Sequence, residues 1–404
     1  MNTHFKFHYA YVIVFCCCLI MGVVIGLVMS CAGIFYTPVS DDLGVSKGDF
    51  GLYMTFVYSC SFFMLSVAGK MMDKFSARVL LAGGTAIVGL IYIGMSQFDK
   101  VWQFYVAGGL IGIVLSFLLY LSYPVLISRW FNSGVGFFIG LCSAASGIGG
   151  IVFNPIGGYL LQVYGWRTAY LIFGAIILIG IFPLLAVLLR DDPYKIGLKP
   201  LGRKEQEYVS SGMDYAEAIR SPTFYTMLVF AFLMISVSTL NLFLPTYITS
   251  VGFSVEQSSL VASAVMLGVT IGKLILGYIN DKSPIAGVFL FSGCGILGFI
   301  FLLFGTKMFI LIVIGAFLFG WAYAAVTVET ALLVRIVFGT KDYSKIFSNI
   351  SISLALGGAV MAGVWGYLAD FLDFKVIFII ALVLLACAAG IGWISIKKSA
   401  KNIY

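Results

Sequence analysis

The decapeptide GKMMDKFSAR, Gly69 to Arg78, is a short charged turn between two apolar runs, each long enough to cross a bilayer. Its echo lies 208 residues on, where Gly277, Asp281 and Lys282 occupy the places of Gly69, Asp73 and Lys74. The same offset of 208 pairs Gly158-Tyr159-Leu160 with Gly366-Tyr367-Leu368, Trp166-Arg167 with Phe374-Lys375, Gly44 with Gly252 and Ser46 with Ser254. No single match carries weight. The set does: a repeat at a fixed offset means two halves built on one plan.

Composition names the solvent. Hydrophobic residues are 61% and charged residues 10% of 404, with a mean hydropathy of +1.07. Soluble domains carry roughly 25% charged residues, so this surface faces lipid. Apolar runs of about 20 residues predict an all-α polytopic membrane protein, and the alternating ten-residue segments of a barrel are missing. The eight cysteines all sit inside apolar runs without CxxC or Cys/His spacing, so neither metal nor cofactor is expected. The net charge of +7 lies in the connections rather than on one basic patch, which argues against nucleic acid. The first run is too long for a cleavable signal peptide.

Twelve runs are predicted to span: 9–38, 48–68, 77–97, 101–128, 134–163, 166–189, 222–250, 254–280, 285–305, 308–337, 343–370 and 375–396. They divide into a six-helix bundle over 1–190, a cytoplasmic linker over 191–220 with a short surface helix at 214–220, and a second bundle over 221–404. Basic residues in the connections fix the orientation: eighteen lie on the side of the termini and the linker, and five on the other. Both termini are therefore expected in the cytoplasm, and the protein in the plasma membrane, a bacterial inner membrane. Asp41, Asp42 and Asp49 read as solvated loop charges.

Two six-helix halves in parallel repeat, with a charged turn after the second helix of each, resemble the major facilitator superfamily. Its pattern, Gly-x-x-x-Asp-[Arg/Lys]-x-Gly-x-[Arg/Lys], is met by Gly69, Asp73, Lys74 and Arg78, with Ser76 in place of the second glycine. The resemblance implies a cytoplasmic gate made of Asp73, Lys74, Arg78, Arg129, Asp281 and Lys282; plain positive-inside topology is the alternative. A narrower likeness runs from Arg129 to Ile176, through Arg129-Trp130-Phe131, Gly136, Gly140, Asn154-Pro155 and Tyr164-Gly165-Trp166-Arg167. With AEAIRSPTF at 216–224, it resembles the monocarboxylate porter and oxalate:formate antiporter branch.

Ionisable groups deep in a span cost about 2.5–3.5 kcal/mol each on insertion scales, which singles out Lys273 in the eighth run and Glu329 in the tenth. The resembled branch implies that a cation in Gly-[Arg/Lys]-x-x-x-Gly of this helix binds the substrate anion, and Gly272-Lys273 with Gly277 fits. No second cation stands at 353–357 in the eleventh run, which suits a monoanion better than a dianion. Glu329, at similar depth, is read as a proton-coupling group, ionised while paired with Lys273; a static ion pair is the alternative. Tyr36, Tyr120, Tyr123, Asn241, Trp321 and Tyr323 are candidates to clamp a small planar carboxylate, with ordinary packing the alternative for each.

No enzyme constellation appears. Both histidines, His4 and His8, lie in the polar N-terminus, and there is no Walker loop or Rossmann fingerprint. The expected function is secondary transport of a small organic monoanion with a proton or counter-anion, by a monomer in the bilayer. Proton-coupled efflux of amphiphiles shares the fold and stays open. A sensor is disfavoured by the short termini.

Overall fold

A computed structural model describes residues 8–202, 212–305, 307–339 and 341–401, without the side chains of Ser66, Asp73, Val135, Asp281, Ser344 and residues 398–401. Twelve helices run through the described residues: α1 (Ala10–Leu43), α2 (Lys47–Lys74), α3 (Ala77–Met95), α4 (Val101–Trp130), α5 (135–164), α6 (166–188), α7 (222–250), α8 (Val255–Lys282), α9 (Pro284–Phe304), α10 (Phe309–Phe338), α11 (Tyr343–Phe371) and α12 (Phe374–Lys401). The all-α, twelve-helix architecture read from the sequence is the one observed, with boundaries moved by a few residues.

The offset reappears in local chemistry. Gly44 and Gly252 both close a helix with positive φ (63° and 99°), and Ser46 and Ser254 both cap the next one, accepting from Asp49 N and Gln257 N. Between α5 and α6 the chain stays helical on both sides of Gly165, whose φ of 78° and ψ of 171° break the rod. Only glycine holds that conformation without strain.

The innermost helices are broken. Helix α1 passes from α-helix through a π stretch (Ile20–Ser30) and a 3-10 turn (Ala32–Phe35); α7 carries a 3-10 turn at Leu240–Leu242. Pro38 and Pro245 follow these turns, each deleting an amide that an unbroken helix would use. The two breaks meet, since a Cβ on Gly33 would lie 2.8 Å from Leu242 O and 3.2 Å from Asn241 O. Residue 241 is the repeat of residue 33.

Two seams join the halves, α2 on α11 and α5 on α8, and they match rung for rung. Thr55 Oγ1 donates to Ala359 O and Ser263 Oγ to Ile151 O, both at 2.8 Å, and each pair is the repeat of the other. Pro155 explains the second: it removes the amide that would have bonded Ile151 O within α5. The next rung sets Tyr58 against Gly358 and Met266 against Gly150. Closer to the charged turns, a Cβ on Gly69, Gly140 or Gly277 meets nothing within 4 Å. The described hydrogen bonds between the halves thus lie at these rungs or nearer the far face, which they seal, opposite the basic face that carries Gly69–Arg78.

The linker ends clip to the basic face. Leu201 N bonds Trp130 O and Asn132 N bonds Leu201 O (both 2.8 Å), while Met213 N bonds Phe338 O (2.9 Å). Trp130 and Phe338 are again repeats, at the ends of α4 and α10. The surface helix expected at 214–220 is a single turn, Tyr215–Ala218, held where Asp342 accepts from Tyr215 N (3.0 Å) and Lys341 pairs with Asp214 (2.8 Å).

Candidate functional site

The candidate site begins one turn beyond the seam contacts. On α8, Thr270 packs on Gly147 of α5, and Lys273 stands one turn nearer the basic face. Lys273 is half-buried and has no hydrogen bond or ion pair among the described residues. It is held near α10 by close backbone approach: a Cβ on Gly272 would lie 3.0 Å from Ala324 Cβ and 3.3 Å from Trp321 Cα. That turn of α10 also carries Tyr323, and the buried Trp321 Nε1 lacks a partner.

Phenols from three helices approach one another across the two halves. Tyr58 (α2), Tyr120 (α4) and Tyr323 (α10) are half-buried, and Tyr58 lies close enough to the other two and to Tyr53 for their hydroxyls to interact electrostatically. Tyr120 sits where α4 loosens at 119–121, because Pro124 cannot donate to Tyr120 O. Sequence reasoning named Tyr120 and Tyr323 but missed Tyr58, whose only signal was its repeat relation to the seam residue Met266.

The other candidates scatter. Tyr36 is fully buried in an aromatic plug with Phe50, Tyr53 and Phe243, its hydroxyl unpartnered. Asn241 lies at the α1–α7 crossing with Oδ1 unpartnered. Tyr123 turns to Ser143, Cys142 and Cys17 within the first half. An apolar groove of about 300 Å³ between α1 and α5 holds none of these residues.

Glu329 does not pair with Lys273. It is wholly buried; Oε1 accepts from Asn280 Nδ2 at 2.7 Å, and Oε2 has no partner. A Cβ on Gly287 of α9 would lie 3.0 Å from Glu329 Oε1, so the carboxylate is enclosed by α8, α9 and α10. Depth along two helices was legible in the sequence; the direction each side chain takes around its helix was not.

Of the gate residues, the side chains of Asp73 and Asp281 lie outside the described residues. Lys74 lies 5.8 Å from the Phe75 ring, and Lys282 Nζ donates to Tyr278 OH (2.6 Å). Arg129 donates to Met72 O (3.3 Å), and Arg78 Nη2 to Val187 O (3.0 Å). The organising acid is one that sequence reasoning passed over as linker. Asp191 Oδ1 accepts from Arg78 N and Ser76 Oγ, both at 2.8 Å, and Oδ2 pairs with Lys195 (3.1 Å). Ser76, with φ −62°, needs no glycine there; its hydroxyl serves the carboxylate that caps α3 from outside the helix. In the second half Ser283 caps α9 itself, accepting from Ala286 N.

Burial alone would raise the Asp191 carboxyl, but the bonds from Arg78 N, Ser76 and Lys195 outweigh it and hold it below the usual carboxylate range. A lowered folded value means its stabilisation is complete above the unfolded value, about 3.9, and lost as pH falls through the folded one. Asp191→Asn is expected to cost on the order of 1 kcal/mol at pH 7. The gap in thermal midpoint between variant and parent should close under strong acid, and a gap independent of pH would exclude the carboxylate as cause.

The far face has acids of its own. Asp42 and Asp49 lie in helices rather than loops and are paired: Asp42, exposed as expected, accepts from Trp166 Nε1 (3.0 Å) and pairs with Arg167, which also reaches Asp99 (3.0 Å). Asp49 accepts from Tyr367 OH (3.0 Å) across the halves.

A family model described as Major Facilitator Superfamily matches residues 18–306 and 226–402. A Saccharomyces cerevisiae protein named probable transporter MCH2 is 27% identical over 59% of this chain and 49% of its own. The oxalate:formate antiporter of Oxalobacter formigenes is 26% identical over 62% of this chain and 58% of its own. The matched region thus spans about half the length of the first and under two thirds of the second. Among solved structures, the nucleoside transporter NupG superposes with a TM-score of 0.74 at 15% identity, covering 97% of this chain and 99% of that one.

Proposed function

This chain belongs to the major facilitator superfamily, and on that premise we propose that it is a secondary transporter of a small organic monoanion. Lys273 carries the proposal: an ammonium in a transmembrane helix, half-buried and without a protein counter-ion among the described residues, one turn beyond the contact of Thr270 with Gly147. A cation so placed is costly until an anion reaches it. Tyr58, Tyr120 and Tyr323 supply hydroxyls for the rest of the solute, with the unpartnered Trp321 Nε1 beside them.

In this reading the bundles 1–190 and 221–404 rock about the α1–α7 crossing, linked by 191–220. The basic face is cytoplasmic with both termini, in a bacterial inner membrane, and the gate residues Asp73, Lys74, Arg78, Arg129, Asp281 and Lys282 close it. Glu329, held by Asn280 and free at Oε2, is the coupling carboxylate.

Uptake of labelled carboxylates into proteoliposomes with an imposed pH gradient tests this. Accumulation of one acid driven by the gradient supports symport, and accumulation that needs a trapped counter-anion supports exchange. If no carboxylate moves while an amphiphilic cation is extruded, the anion reading falls. Tyr58→Phe is expected to raise KM for that acid roughly threefold to tenfold, the worth of one hydrogen bond, with the maximal rate kept. An unchanged KM would remove Tyr58 from the site.

A further inference from the structure

The far-face seams are repeats of one another in position but not in chemistry. At the α2–α11 seam, the Asp370 carboxylate accepts from Lys47 N (3.1 Å, Oδ1) and Gly48 N (2.8 Å, Oδ2). These are two of the four amides that the first turn of α2 leaves without an intrahelical acceptor. Asp49 N goes to Ser46 Oγ (2.9 Å), and Tyr367 OH closes the group on Asp49 Oδ1. The backbones touch beneath them, since a Cβ on Gly366 would lie 2.7 Å from Gly48 Cα.

At the α5–α8 seam the 208 offset sets Gln162 in place of Asp370 and Gln257 in place of Asp49. Here the helix looks after itself. Ser254 Oγ accepts from Gln257 N (3.1 Å) and Gln257 Oε1 from Ser254 N (3.0 Å), a capping box closed within α8. Tyr159, the repeat of Tyr367, is exposed and rests on Tyr164 of its own half. When the halves part at the far face, α8 keeps its cap and α2 surrenders two charge-assisted bonds.

We propose that Asp370, clamped on the first turn of α2, is a one-sided latch that holds the far face shut and biases the transporter toward opening at its basic face. The proposal rests on the alternating rocking described above. It places the latch on one seam only, although the repeat would allow two.

Spin-label distances in lipid nanodiscs test it, using full-length protein whose eight native cysteines are replaced by serine or alanine, labelled at Lys100→Cys and Lys307→Cys on the far face, or at Ser128→Cys and Arg335→Cys on the basic face. Asp370→Asn is expected to raise the ratio of wide to narrow far-face separations roughly tenfold, for two charge-assisted bonds partly screened by water. Gln162→Ala, at the matching place, should leave that ratio unchanged, and Asp370→Glu should restore most of it. An Asp370→Asn distribution equal to the parent's overturns the latch, as does an equal shift from Gln162→Ala. Failure of alternating access reads differently: the basic-face pair would then stay at one separation in every variant, with and without the transported acid.

Discussion

Lys273→Gln is expected to lower saturable uptake at low substrate by roughly tenfold to a hundredfold, the worth of a hydrogen bond to a charged group in a site with little water. Lys273→Arg, which keeps the charge, should retain part of the rate. The substitution should not harm the fold. Lys273 has no partner to lose among the described residues, and replacing a lysine that costs about 2.5–3.5 kcal/mol to insert can only relieve the helix. Thermal unfolding of the substrate-free variant should therefore match or exceed the parent. Initial rates and midpoints on the same preparations separate the two effects. Full uptake in the variant, or a lowered midpoint, would make Lys273 a structural cation and remove the argument for an anion site.

The second large effect lies in packing. Helices α1 and α5 cross backbone on backbone: a Cβ on Gly149 would overlap Gly22 O, and one on Gly26 would lie 3.1 Å from Gly149 Cα. In lipid no hydrophobic drive compensates for a lost helix contact, because acyl chains are as apolar as leucine. Gly149→Val is expected to cost about 3 kcal/mol or more by overpacking, enough to remove most folded protein after extraction. Gly140→Val, nine residues away on α5 where a Cβ meets nothing within 4 Å, should fold normally. A folded, monodisperse Gly149→Val protein in size-exclusion chromatography would mean that the crossing gives way more readily than its geometry implies.

Much of the fold was legible because it rests on two signals that survive without coordinates, hydropathy and repetition. The 208 offset that matched Gly44 to Gly252 and Ser46 to Ser254 matched turns and caps that the structure contains at those places. The site was less legible. Lys273 and Glu329 stood out by charge, but a helix turns about 100° per residue, so equal depth did not bring them together. Glu329 found Asn280, an amide with no distinguishing mark among polar residues near a helix end. Asp191 was read as linker and Asp370 as the last residue of a span, and each proves to accept from first-turn amides of a helix distant in sequence. Caps supplied from outside the helix leave no local pattern to read.

The clips at Leu201 and Met213 set a leash. Twelve residue steps of chain, from Leu201 to Met213, separate the bonds to Trp130 and Phe338, and a fully extended strand covers at most about 3.3–3.6 Å per residue. While both clips hold, the ends of α4 and α10 can swing apart by no more than roughly 40 Å before the chain is taut. The connector therefore sets an upper bound on how far those two helix ends can separate while the clips hold.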